Sequence, residues 1–357
     1  MVFGLIDRYL IRCVVSGTAV VVAVLVSLGA LSIFIGQQDD IGVGRYSFQD
    51  AVLHVLLNVP AQIVEFLPIS TLIGTLFGLG TLARGSELAV LRTSGLSIWR
   101  IARPIAIAAL LIALAGALLT EYIAPQAQTL ARERKSFAKN PQMSLAGAAG
   151  AWIRDGNRII NIGSKTSTSG YGGVEIYEFE ADGRLSAFSR STSARPDDTN
   201  TWLLSQYFET RFGEGRVDSS KQARKSISLG VDDSFMGLAN RSLDQLSTTA
   251  VVSLARHLAL NGLDHREAAY AVWKRLARFI TTIAGSMLAL SLVFGPLRSS
   301  GAGLRILVGA LVGIGLFAVQ EIASSLVTLG GMSAAMLGLL PAALIVGVST
   351  TLLSRVR

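Results

Sequence analysis

Residues 58–95, NVPAQIVEFLPISTLIGTLFGLGTLARGSELAVLRTSG, pass from a long apolar run into a short charged segment, and that break decides how the chain is read. About 20 apolar residues in a helix cross the ~30 Å hydrocarbon core of a bilayer. Residues 58–83 meet that length with Glu65 as their one ionisable side chain. Five more runs of this kind lie near 13–36, 100–124, 271–294, 304–326 and 333–353. The first follows Arg8 and Arg12, but at about 24 residues it exceeds the roughly 7 to 15 of a signal peptide, so it reads as an uncleaved span. Composition agrees: 51% of the 357 residues are hydrophobic and 16% charged, against about 25% charged in soluble domains.

The net charge of +8 would suit nucleic acid until the positions are read. Residues 126–265 carry 17 basic and 15 acidic side chains, a near balance that leaves no footprint for a polyanion. The excess flanks the apolar runs. Arg8, Arg12, Arg84, Arg92, Arg100, Arg103, Arg298, Arg305, Arg355 and Arg357 collect on one side, whereas the other holds Arg45 beside Asp39, Asp40 and Asp50, and a neutral turn at Gly330 and Gly331. Short loops rich in Lys and Arg stay in the cytoplasm. Both termini are therefore expected in the cytoplasm of a multi-pass membrane protein, with residues 126–265 on the opposite side, which in a Gram-negative cell is the periplasm.

That intervening block reads as β. Asp155-Gly156-Asn157 separates Trp152–Arg154 from Arg158–Ile162, and Asp182-Gly183 separates Val174–Phe179 from Leu185–Phe188, both hairpin signals. Trp202, Leu204, Phe208 and Phe212 share one parity, which predicts a half-buried strand over 201–212. Short strands with Gly-rich turns suit a sandwich or a jelly roll, and alternation does not choose between them. The domain reading is 1–125 for the first three spans, 126–265 for the β block and 266–357 for the last three.

Catalytic constellations are missing. His54, His257 and His265 are isolated and read as polar surface or interface residues, and lone Cys13 excludes an internal disulfide or a multi-cysteine metal site. Gly163-Ser164-Lys165-Thr166 lacks the glycine before lysine that a phosphate loop needs, and Gly78-Leu79-Gly80 lies inside an apolar run with no strand before it. No nucleotide hydrolysis, metal or cofactor is expected of this chain.

Two other features carry information. Residues 86–94 have a short helix's grammar, with Ser86 as cap, Glu87 in the first turn, Leu88 and Leu91 on one face and Gly95 as terminator. Such a helix either lies on the lipid surface or plugs a groove in a cytoplasmic partner. Gly74 with Gly78, and Gly309 with Gly313, are small-residue pairs that suit close packing within the chain or a seam between subunits.

A resemblance sharpens these alternatives. It rests on Leu5-Ile6-Asp7-Arg8-Tyr9, on Pro60, Glu65 and Pro68, and on Gly78-Leu79-Gly80-x-Leu82-Ala83-x-x-Ser86-Glu87-Leu88. Ala124-Pro125-Gln126, Trp273-Lys274 and Phe294-Gly295-Pro296-Leu297-Arg298-Ser299 follow in the same order. Together they make almost the whole chain similar to the LptF/LptG permease family of the lipopolysaccharide export ABC transporter. The resemblance implies a heterodimer with an LptF-like permease, driven by an LptB-like ATPase dimer that holds the ATP and Mg, with lipopolysaccharide passed to periplasmic β-jellyrolls and an LptC-like bitopic protein. It makes residues 86–94 the coupling helix, with Arg84, Ser86, Glu87, Leu88 and Leu91 docking into the ATPase. The periplasmic domain becomes a β-jellyroll by resemblance alone.

Lipopolysaccharide phosphates give the outer-face cations a role. Arg132, Arg134 and Lys135 follow the third span, and Lys274, Arg275 and Arg278 open the fourth. They are candidate headgroup contacts, against the plainer alternative of anchoring or of pairing with Glu65, Glu121 and Glu321. Where relatives carry lysines at the outer end of the first span, this chain has Ile33, Gly36, Asp39 and Asp40, and it also lacks a proline after Trp273-Lys274. A secondary transporter would instead need ionisable groups near the midplane, and a non-transporting adaptor would have no lipid cavity.

Overall fold

The computed structural model describes residues 4–139, 151–163, 165–166, 170–180, 182–196, 201–213, 216–228, 242–295, 300–329 and 332–355. Arg298, Arg357, the Gly330-Gly331 turn and Pro296 to Ser299 of the resemblance lie outside them. Nine helices and seven strands follow in order among the described residues. They are α1 (Leu5–Ile35), α2 (Phe48–Arg84), α3 (Glu87–Thr93), α4 (Ile98–Leu118), α5 (Ala124–Lys139), the strands, then α6 (Thr248–Leu260), α7 (Arg266–Phe294), α8 (Ala302–Leu329) and α9 (Ala334–Arg355). Six of these are long and apolar enough to cross a membrane: α1, α2, α4 with its extension, α7, α8 and α9.

The helices overrun the apolar stretches because caps, not hydropathy, set their ends. At 37 residues α2 is about 55 Å long, well beyond the hydrocarbon thickness. It begins at Phe48, ten residues before the apolar run, where the Ser47 hydroxyl accepts from the Asp50 amide and the Asp50 carboxylate accepts from the Ser47 amide. At the other side α4 runs through a π-helical turn at Leu119–Ile123 into α5. The turn stands immediately before Pro125, whose missing N–H cannot serve the carbonyl four residues back.

Close backbone approach sets the bundle. A Cβ on Gly17 would stand 2.3 Å from the Gly74 carbonyl oxygen, and one on Gly78 would stand 2.7 Å from that of Cys13, so α1 and α2 touch backbone to backbone. Gly309 and Gly313 of α8 face Ile73, Leu76 and Ile69 of α2. Both small-residue pairs thus serve packing within the chain. The main core joins Leu10 and Val14 of α1, Leu76 and Leu79 of α2, Ile101 and Ile105 of α4, and Leu288 and Leu290 of α7.

The strands are β1 (Ala151–Asp155), β2 (Arg158–Ile162), β3 (Lys165–Thr166), β4 (Gly170–Phe179), β5 (Leu185–Pro196), β6 (Thr201–Gly213) and β7 (Arg216–Ser228). They form one antiparallel sheet in the order β1-β2-β4-β5-β6-β7, with β3 on β4. Both predicted hairpins are present. The described strands make a meander, with no crossover of the sandwich or jelly-roll kind among them.

A crease crosses this sheet. The registers place Thr192 opposite both Gly173 of β4 and Gln206 of β6. Gly173 (φ +65°) and Gln206 (φ +51°) are both left-handed, and inward parity flips there. In β6 the buried residues are Trp202 and Leu204 before the crease but Tyr207 and Glu209 after it, and in β5 Ser191 gives way to Ala194. The Ser191 hydroxyl reaches the carbonyls of Ser193 and Ser205 at 2.8 Å, which serves acceptors beside the crease. This corrects the single-parity reading of 201–212: Phe208 and Phe212 face outward, because Gln206 rotates the strand by one residue.

Past the crease the inward face turns polar. Lys225 and Arg211 both bond the buried Glu209 carboxylate, at 2.7 and 2.6 Å, and the Lys225 bond foremost holds that carboxyl below the usual glutamate range. A carboxyl more acidic when folded stabilises the sheet above its unfolded value of 4.5, and that stabilisation is lost as pH falls through the folded value. We expect the unfolding temperature of the sheet, followed by fluorescence of buried Trp202, to fall as pH drops below that value. Glu209→Gln should be less stable at neutral pH and flatter with acid.

Candidate functional site

Two polar assemblies cap the bundle, one at each end. At the end where α2 turns into α3, the structure revises how residues 86–94 are held. Ser86 is left-handed, at φ 60°, and its hydroxyl makes no capping bond, so the helix starts at Glu87 without the expected side-chain cap. The expected stop is present. Leu96 N–H donates to Leu91 O and Gly95 N–H to Arg92 O, with Gly95 at φ 86°, the six-to-one and five-to-two pair of a Schellman end.

The side chains divide by face. Leu88, 3% exposed, enters the main core beside Leu82 and Ile98, and Leu91 packs against the same cluster. These two leucines weld α3 to the bundle instead of facing outward. The outward surface consists of Arg84, Glu87, Ala89, Val90 and Thr93. The Glu87 carboxylate accepts from the Tyr9 hydroxyl at 2.8 Å. Two residues before Tyr9, Asp7 accepts a bidentate pair from Arg100 at 2.6 and 3.1 Å, and also the Gly4 amide at 3.2 Å. The N-terminal turn of α1 is thereby stapled to both α3 and α4. Asp7, Tyr9 and Arg100 were visible in the sequence only as flanking charges or as part of a motif.

At the opposite end the cations fall into two groups. Lys135 donates to Gln37 Oε1 at 2.6 Å, pairs with Asp40 at 2.6 Å and lies over the Tyr46 ring; Lys139 also pairs with Asp40. Asp40 thus occupies Lys135. Arg134 is exposed and Arg132 half-buried. In the second group Lys274 meets Asp244 at 3.5 Å, while Arg275 Nη2 donates to the carbonyls of Leu243 and Leu246 at 3.0 and 2.5 Å. Glu121, in the π turn, accepts from the amides of Thr248 and Thr249 and from the Thr249 hydroxyl. It therefore sits at the positive end of α6.

The structure brings Lys274 and Arg278 together with Glu65 and Gln320 around a cavity of about 310 Å³ between α2, α7, α8 and α9, whose remaining walls include Phe66, Ile69, Ile314 and Phe317. A second cavity of about 370 Å³, between α2, α4 and α7, is bordered by Arg275 and Arg278. Apolar walls under a cationic rim suit an amphiphile with an anionic head. Gln320 has no sequence signal beyond its place in an apolar run. No cluster of His, Cys, Asp or Glu fit for a metal ion occurs among the described residues.

Comparison with known proteins follows from this geometry. The family model of the lipopolysaccharide export system permease LptF/LptG matches residues 8–355. The lipopolysaccharide export system permease protein LptG of Escherichia coli strain K12 is 28% identical over 355 residues, 99% of each chain. Its counterpart in Haemophilus influenzae is 26% identical over 353 residues, again 99% of each.

The Glu121 contact makes its own prediction. Glu121→Gln removes a charge from the start of α6 at a cost of about 1 kcal/mol, so amide exchange at Thr248 to Val251 should quicken about fivefold with the spans intact.

Proposed function

This chain belongs to the lipopolysaccharide export system permease LptF/LptG family, and we propose that it delivers ATP-driven motion from a cytoplasmic ATPase to a lipid cavity through α3. It is a permease of a lipopolysaccharide export system, the membrane component of an ABC transporter, and a multi-pass inner-membrane protein. It belongs to a transporter family, not an enzyme family. In our reading its termini are cytoplasmic and the sheet is periplasmic. An LptF-like permease completes the cavity, an LptB-like ATPase dimer binds ATP and Mg, and an LptC-like bitopic protein receives the lipopolysaccharide drawn from the outer leaflet.

The observation that carries the coupling reading is the two-faced setting of α3. Leu88 roots the helix in the core, while Ala89, Val90 and Thr93 stay open to a partner. A helix free of the bundle would absorb a push by tilting. One rooted at Leu88 and bonded through Glu87 to Tyr9 passes the push to α1, α2 and α4 together. The least enclosed spans are α1 and α8, whose Val20, Val24, Leu28, Leu311, Ile314 and Phe317 are exposed. In this reading those faces line the shared cavity, and inward motion drives acyl chains outward. Arg132, Arg134, Lys274 and Arg278 are the proposed headgroup contacts. Lys135 and Arg275 are mainly occupied by Asp40, Gln37 and backbone carbonyls.

Glu87→Ala tests this in the assembled complex. We expect the ATPase to co-purify at wild-type yield and lipopolysaccharide release per ATP to fall about tenfold, since only the link between sites is cut. Normal release with normal assembly contradicts the coupling role.

A further inference from the structure

We propose that Arg305 is the positioning residue that hands motion of the α2–α3 corner to α8. The inference rests on the coupling role of α3 and adds a component to it.

Helix α8 leans on α2 along one stripe. Arg305, Gly309 and Gly313, spaced four apart, meet Gly80, then Ile73 and Leu76, then Ile69. The two glycines supply sliding contacts without direction. Arg305 is different: it is 2% exposed, and its Nη1 donates to the Gly80 carbonyl oxygen at 2.5 Å. That carbonyl belongs to the last turns of α2, which ends at Arg84, so the guanidinium sits at the negative end of the helix. A Cβ at position 80 would stand 2.5 Å from Nη1, so a larger residue there would displace the guanidinium.

A buried guanidinium in an apolar helix is costly unless it does something an alkyl chain cannot. An aliphatic residue at 305 would fill the same space against Gly80. What it would lack is a directed bond that holds one helix to a fixed point on another. The point chosen is informative. Gly80 lies between Leu79 and Leu82, which share the core with Leu88 of α3. Displacement of α3 is therefore transmitted through this core to Gly80, and Arg305 converts it into displacement of the base of α8, whose outer half lines the cavity through Ile314 and Phe317.

The experiment places spin labels at exposed Val24 of α1 and Leu311 of α8 in the complete reconstituted transporter and reads their separation with and without ATP and Mg. Wild type should show a nucleotide-dependent change. Arg305→Met keeps the length and apolar stem, so assembly and basal ATP hydrolysis should stay within about twofold, while the distance change disappears and lipopolysaccharide release falls about tenfold. Arg305→Lys, which keeps a donor, should restore part of both. A full distance change and full release in Arg305→Met overturn the proposal. If that variant does not assemble, Gly80→Ala displaces the guanidinium without removing it; loss of the distance change there supports the role and wild-type behaviour overturns it. Glu87→Ala in parallel separates the two claims. Normal release in that variant removes the coupling role of α3 itself, whereas its loss beside an unaffected Arg305→Met removes only the Arg305 link.

Discussion

The backbone-to-backbone contact of α1 with α2 at Gly17 and Gly74 is the constraint on which the rest of the bundle depends. In lipid, no water is expelled when two apolar helices meet, so association rests on close packing and on hydrogen bonds. The absence of side chains at Gly17, Gly74 and Gly78 lets α2 approach α1 on one side while Gly309 and Gly313 admit it to α8 on another. As a result α2 is in contact with α1, α4, α7 and α8. Anything that moves its α3 end is felt by four spans.

Charge placement follows the same economy. At the α3 end, Asp7 with Arg100, Glu87 with Tyr9, and Arg305 with Gly80 each join residues far apart in sequence. They tie α1, α3, α4 and α8 to one corner. At the other end Asp40 and Glu121 hold the first loop and α6 in place. Sequence order alone set all of these apart, while Arg134 is left exposed and Lys274 and Arg278 line the cavity.

Much of the architecture was legible because hydrocarbon imposes a length on every span and because hairpin turns leave local marks. The six spans, both hairpins and the Gly95 helix stop are of this kind. What escaped had non-local causes. Ser86 failed as a cap because it takes a left-handed conformation at the corner between α2 and α3. Phe208 and Phe212 faced the wrong way because a crease through Gly173, Thr192 and Gln206 needs three strands to exist at all. Leu88 and Leu91 were correctly grouped on one face, but a face does not say whether it looks toward the bundle or a partner. For the candidate site, residue types at the headgroup level were readable, whereas their occupancy by Asp40, Asp244 or a carbonyl was not.

The account's central claim is that this permease works only within a powered export assembly that holds lipopolysaccharide. The most direct test is gentle affinity purification of the tagged chain from native membranes, with mass spectrometry of its proteins and lipids. The account predicts stoichiometric recovery of an ATPase, a second six-span permease and lipopolysaccharide. Recovery of the chain alone, from a preparation in which another membrane complex survived intact, would contradict it.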